Sequence, residues 1–242
     1  MALAHEARLE GEAGETNGAL AVSALMARMG GAEKHGPSAS STLDVLRVLY
    51  ERVLRVSPAT ARAPGRDRFV LSKGHGPMAY YAVLASRGFF DPSWLDAFGG
   101  FGSPLGHHPD RVLIPGVEVG SGSLGHGLPI AVGMALGLRA RGLVGPRVVC
   151  LVGDAELDEG SNHEAIAFAA RAGLEALSVV VIDNASASLG WPGGIGRRFE
   201  VEGWRVSTVD GRDHAALAVA LADVRQRRPS AVVAVVEPKG GQ

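Results

Sequence analysis

A single cysteine, Cys150, stands among 242 residues, which excludes an intrachain disulfide and any cysteine-rich metal site. It lies inside an apolar run and reads as a small buried hydrophobe. No sign of charge prevails. Lysine and arginine number 24 against 25 aspartates and glutamates, for a net charge of −1 and a pI near 6.7. Such a balance offers no positive field to nucleic acid or an anionic membrane. Long apolar runs are missing too, so no segment approaches the ~20 residues that cross a bilayer. The opening MALAHEARLEGEAGE lacks the basic and apolar regions of a secretory signal. These absences together predict a cytoplasmic protein with no nucleic-acid or membrane partner. What remains, 46% hydrophobic and 20% charged over this length, suits one large soluble α/β domain.

The clearest organisation lies in the second half. Residues 147–152, RVVCLV, form a short β-rich apolar run, and Leu177 to Asp183, LSVVVID, form a second. Between them Ser161 to Gly173 has helical apolar spacing. A βαβ unit of this length crosses over right-handed, so its strands are parallel and both carboxyl ends open at one sheet edge, where α/β folds bind ligands. Gly153-Asp154 ends the first strand and Asn184 ends the second. One carboxylate, one amide oxygen and a nearby carbonyl such as that of Ser186 leave an octahedral cation in need of ligand oxygens and water. That pattern points to Mg²⁺, or Ca²⁺ or Mn²⁺, shared with a diphosphate. The same residues also read as plain turn chemistry at strand ends.

Elsewhere the periodicity predicts helices over Leu20 to Met29, Ser41 to Val56 with Ser40 or Ser41 as cap, Met78 to Arg87, Ser93 to Ala97, Leu128 to Ala140 and His214 to Arg227. Strands are expected in RFVLSKGHG, near Trp204 to Val209 and over Ala231 to Glu237. Residues 99–116, rich in glycine and proline around His107 and His108, form a long irregular segment, and residues 185–198 form a Gly-rich loop. Residues 1–17 read as a flexible extension and 18–242 as one domain. The fold class is a parallel α/β sandwich with helices on both faces.

Four motifs in this order, RFVLSKGHG, GHHPD, PGVEVGSGSLGHG and GDAELDEG, make the chain resemble the thiamine-diphosphate-binding half of transketolase. The resemblance implies the thiamine-diphosphate-binding fold and runs from about residue 20 to 237. Family members usually carry a second, pyrimidine-binding domain that this sequence does not include, so the chain resembles the N-terminal subunit of a split transketolase. Such an enzyme transfers a two-carbon ketol unit from a ketose to an aldehyde. The implied partner is a C-terminal subunit carrying the pyrimidine-binding domain, in an α2β2 heterotetramer acting on a sugar or ketol substrate.

The resemblance makes Asp154, Asn184 and the Ser186 carbonyl the metal ligands. It places Gly122, Ser123 and Leu124 against the cofactor, with Gly153, Ala155 and His75 also in contact. His35, His75 and His108 match family histidines facing the diphosphate, the reactive carbon and substrate hydroxyls. Glu159 and Glu164 match two glutamates at the subunit interface. For Glu164 a local alternative stands, because Ser161 and Glu164 also spell a helix-capping box.

Ala155 replaces the family's usual glycine after the metal aspartate, and its Cβ narrows the approach to the diphosphate and disfavours a positive φ. His126 replaces a glutamine, residues 185–191 depart from the family pattern, and EPKGGQ ends before a segment that brings a further histidine. Competing readings are a degenerate or regulatory subunit of the same fold and the α-subunit of a 2-oxo acid dehydrogenase. A third is an NAD-binding oxidoreductase, because Gly120, Gly122 and Gly125 form a GxGxxG after an expected strand at Gly116 to Val119.

Overall fold

The computed structural model describes residues 21–30, 36–222 and 227–238; the extension 1–17 and His35 lie outside them. Helix α1 occupies residues 21–27. In chain order there follow α2 (Gly36–Val48), β1 (Arg68–Leu71), α3 (Met78–Ser86), α4 (Gly127–Ala140), β2 (Val148–Gly153) and α5 (Gly160–Arg171). The last elements are β3 (Leu177–Asp183), α6 (Ile195–Glu200), β4 (Arg205–Asp210), α7 (His214–Ala222) and β5 (Ser230–Val235).

The five strands form one sheet in the order β1-β2-β3-β5-β4, and every neighbouring pair is parallel. Parallel sheets are covered on both faces, which is why β2 and β3 are largely apolar, the buried Ser178 of β3 being paired with the Ser230 hydroxyl at 2.9 Å. Alternate residues still face opposite ways. Val149, Leu151, Val180 and Ile182 join a core with α2, α3 and α7, whereas Val148, Cys150, Val179 and Val181 join a second core with α4, α5 and α6. Helices therefore lie on both faces. All the strands run the same way, so their carboxyl ends share one edge.

Several elements differ from their sequence expectation. Helix α2 begins before Ser41, whose hydroxyl donates to the Ser38 carbonyl at 2.9 Å, and Thr42 reaches the Ala39 carbonyl at 2.9 Å. These hydroxyls are satisfied inside the helix and cap nothing. Beyond Val48 the helix widens into a π-turn, Leu49–Val53, closed by Leu54 N to Leu49 O at 2.8 Å. The turn carries Tyr50 into an aromatic cluster, 5.6 Å from Phe69 and 6.1 Å from Phe89 between ring centroids. Residues 116–119 form no strand, which removes the β-element a dinucleotide fingerprint requires. Helix α6 starts inside the expected loop 185–198, just after Gly194 at φ 83°. The described part of the helix expected to reach Arg227 ends at Ala222.

Candidate active site

Three carboxyl-edge segments converge. Ser72 and Lys73 follow β1, Asp154 follows β2, and Asn184 follows β3; the Asp154 amide donates to Ile182 O of β3 at 3.0 Å. Asp154 is 2% exposed and Asn184 3%. The Asp154 carboxylate binds the loop after β3. Its Oδ2 accepts the amides of Ser186 at 2.6 Å and Ala187 at 3.2 Å, and its Oδ1 accepts the Ser186 hydroxyl at 2.5 Å. Ala185 makes this possible by taking φ 52°, a left-handed value unfavourable for a side chain with Cβ.

Asn184 is unusual in the opposite sense, since its buried Oδ1 has no hydrogen-bond partner. Buried polar atoms are nearly always paired, and an orphan beside a buried carboxylate is what a missing cation would explain. Among the described residues no three His, Cys, Asp or Glu side chains gather into a metal cage. A cation at this edge would have the Asp154 carboxylate with the neutral oxygens of Asn184 and the Ser186 backbone, which would leave room for diphosphate. The donor set fits Mg²⁺ shared with a phosphorylated ligand.

Ala155 sits in this cradle with an ordinary backbone. Its φ is not positive, because Ala185 and Arg227 alone among the described non-glycine residues have positive values, and its amide donates to Asp154 Oδ1 at 2.8 Å. The expected conflict between a Cβ and a positive φ does not arise, and the amide points to the carboxylate.

The SKGHG turn packs directly on the 120–125 loop. A Cβ built on Gly74 would lie 2.7 Å from the Gly122 amide, and one on Gly122 would lie 2.7 Å from the His108 ring at a φ of 135°. Glycine at both places lets His75, His108 and the loop share one cradle. The structure thus brings the loop that carries Gly122, Ser123 and Leu124 against His108 and the turn that carries His75. Leu124 is 43% exposed at its rim.

Glu156, which no sequence motif singles out, organises the floor. This carboxylate is 2% exposed. Its Oε1 accepts the Ser72 hydroxyl at 2.5 Å and the Gly125 amide at 3.0 Å, and its Oε2 accepts the Gly153 amide at 3.3 Å. Ser72 Oγ in turn accepts the Gly127 amide at 3.0 Å. Burial raises the Glu156 pKa above the usual glutamate value, against the opposing hydrogen bonds of Ser72, Gly125 and Gly153 and the charge of Lys73. The sequence shows only a second acidic residue two places after Asp154; its partners are remote in the chain. Lys73 is buried as well and donates to Ser38 O at 3.0 Å and to the Ser38 hydroxyl.

Glu159 and Glu164 are both exposed, and Glu159 lies against Gly125 of the 120–125 loop. No capping box forms at α5, because Glu159 occupies the N-cap position and the Ser161 hydroxyl instead donates to Gly125 O at 2.7 Å. The 185–194 loop is pinned by Trp191, whose ring lies 4.6 Å from the Arg198 guanidinium carbon and 5.9 Å from the His163 ring. Arg198 itself is buried and bonded to Asp158 at 3.1 Å.

A family described as "Transketolase, thiamine diphosphate binding domain" matches residues 12–236. The chain belongs to the transketolase family. It is 35% identical over 201 residues to an apulose-4-phosphate transketolase subunit of Actinobacillus succinogenes, covering 80% of this chain and 72% of that one. It is 57% identical over 213 residues to a Rhodococcoides fascians protein named Ferredoxin fas2, covering 88% of this chain and 70% of that protein. Iron–sulfur clusters are held by several cysteine thiolates, and Cys150 alone, buried in β2, cannot supply them. The solved transketolase of Leishmania mexicana shares the fold, with a TM-score of 0.71 at 26% identity over 85% of this chain. This chain spans 36% of that one's length. Among the described residues no helix is long and apolar enough to cross a membrane.

Proposed function

We propose that the chain is the thiamine-diphosphate-binding subunit of a two-component transketolase, moving a two-carbon ketol unit from a ketose to an aldehyde. The observation that carries this reading is the unpartnered, buried Asn184 Oδ1 beside Asp154 at the carboxyl edge. Asp154, Asn184 and the Ser186 carbonyl hold Mg²⁺ in this reading, with Ca²⁺ or Mn²⁺ as substitutes. Gly153 and Ala155 approach the diphosphate, and Gly122, Ser123 and Leu124 line the remainder of the cofactor. Bound thiamine diphosphate supplies a nucleophilic carbon and an electron sink for the ketol fragment. The chain's own residues orient it and handle protons. His75 and His108, beside the 120–125 loop, are suited near neutral pH to exchanging protons with substrate hydroxyls, and His35 is assigned the same task.

A second polypeptide completes the site. The Actinobacillus relative is itself named as one subunit of its transketolase, which supports this, as does the exposure of Leu124, Glu159 and Glu164. Glu159 and Glu164 are assigned to that contact, in a two-fold α2β2 assembly, closed symmetry being usual for such interfaces. The reading includes a cytoplasmic setting, which the lone free thiol supports. The test is to purify the chain alone and with the product of the neighbouring reading frame, then assay ketol transfer with thiamine diphosphate and Mg²⁺. Activity is expected only on mixing. Turnover by the verified-pure single chain would overturn the two-component reading.

A further inference from the structure

We propose that a cavity between the 56–66 and 111–118 segments binds a small phosphate ester with an apolar body, gripped by Arg62 and Arg111. The site lies where the chain enters β1, at the opposite end of that strand from Ser72, and shares no residue with the Asp154 edge. The inference is independent of the transketolase reading.

The cavity measures about 790 Å³, within the range of small-molecule sites. Its wall carries three guanidinium groups, Arg62, Arg66 and Arg111, and one carboxylate, Glu118. That carboxylate is already committed. Arg66 grips it as a fork, Nε to Oε1 at 3.0 Å and Nη2 to Oε2 at 2.7 Å, with both side chains about 15% exposed. Arg62 and Arg111 remain, and among the described residues neither side chain has a hydrogen bond or an ion pair.

Behind them Arg68 adds a further positive charge. It is buried, and it donates to the Arg66 and Pro64 carbonyls without meeting a carboxylate. Its pKa is held below the usual arginine value, first by burial and then by the neighbouring charge of Arg66. Around the cavity the four guanidinium groups of Arg62, Arg66, Arg68 and Arg111 thus outnumber the carboxylates of Glu118 and Asp67. A phosphate group suits the cavity because a guanidinium presents paired donors that match phosphate oxygens. Val112 and Leu113 line the same cavity and are 89% and 52% exposed. Two water-facing apolar side chains beside two unpaired cations call for a ligand that is anionic at one end and apolar at the other.

Isothermal titration of the full chain with phenyl phosphate and with inorganic phosphate tests this. Saturable binding of one phenyl phosphate per chain is expected, at least tenfold tighter than inorganic phosphate. The double variant Arg62→Ala/Arg111→Ala should lose at least tenfold in phenyl phosphate affinity, and Asn184→Ala should leave it unchanged. No saturable binding, equal affinity for both anions, or affinity kept in the arginine variant would overturn the proposal. The titration is repeated on the two-component complex. Retained binding there supports a small-molecule site, and its loss shows that the surface is a contact between polypeptides instead.

Discussion

Ser72 and Glu156, 84 residues apart in the chain, share a 2.5 Å hydrogen bond that ties the end of β1 to the turn after β2. Through the same carboxylate the Gly125 and Gly153 amides are fixed, so one buried charge sets the relative position of three site segments. Removing an acceptor strands its donors at roughly 1–3 kcal/mol for each buried group left unpaired. Glu156→Ala is therefore expected to lower unfolding free energy by at least ~2 kcal/mol in urea titrations. Hydrogen exchange should quicken at the Gly125 and Gly127 amides more than at strand amides of β3.

Asn184→Ala removes the orphan amide oxygen while leaving the Asp154 contacts to Ser186 and Ala187 in place. The expected outcome is a loss of at least tenfold in Mg²⁺-dependent thiamine diphosphate affinity, about 1.4 kcal/mol. The thermal midpoint without ligand should change little. Titration calorimetry on the assembled enzyme checks the first and thermal unfolding the second; unchanged affinity would remove Asn184 from the cation site.

Two alanines near the site should respond to glycine with opposite signs. Ala155 has an ordinary backbone, so Ala155→Gly should destabilise by roughly 0.5–1 kcal/mol through added chain entropy, with no gain in cofactor affinity. Ala185 is left-handed at φ 52°, where a Cβ costs roughly 1–2 kcal/mol. Ala185→Gly should therefore be neutral or stabilising. Paired melting curves of the two variants decide the signs.

Asp67 gives the fold a pH dependence. Its side chain is fully buried, and burial alone would raise its pKa. The Arg55 side chain and amide and the Arg147 amide and charge outweigh that, leaving the group below the usual aspartate value. A depressed carboxylate contributes stability above its unfolded value, about 3.9, and that contribution disappears as pH falls through the lower folded value. Asp67→Asn should be ~1–3 kcal/mol less stable than the parent at pH 7, and the gap should shrink below about pH 4. Urea unfolding at pH 7 and pH 3 measures both.

The parallel core was legible because mostly apolar β-branched runs such as Val179 to Ile182 have few alternatives, and two such strands in one crossover place Asp154 and Asn184 at a common edge. Glu156 was not legible, because its role depends on Ser72 and Gly125, which no local spacing brings near it. The reading of Ser41 as a cap misled for a related reason. A hydroxyl that can cap a helix can equally bond back inside one, and only the position of the first turn distinguishes the two. The Ser161 and Glu164 pair shows the same weakness, since Ser161 spends its hydroxyl on Gly125.

Cys150 lies fully buried on the interior strand β2, between β1 and β3, with its thiol pKa pushed well above the usual value by burial and then by the nearby Glu156 charge. A thiol in that state is inert while the sheet is intact, since the thiolate is the reactive form. Its modification must then wait for the strands to separate. The chain thus contains a built-in clock for its own opening: the rate at which a thiol reagent marks this one sulfur reports how often the sheet comes apart, at concentrations too low for calorimetry.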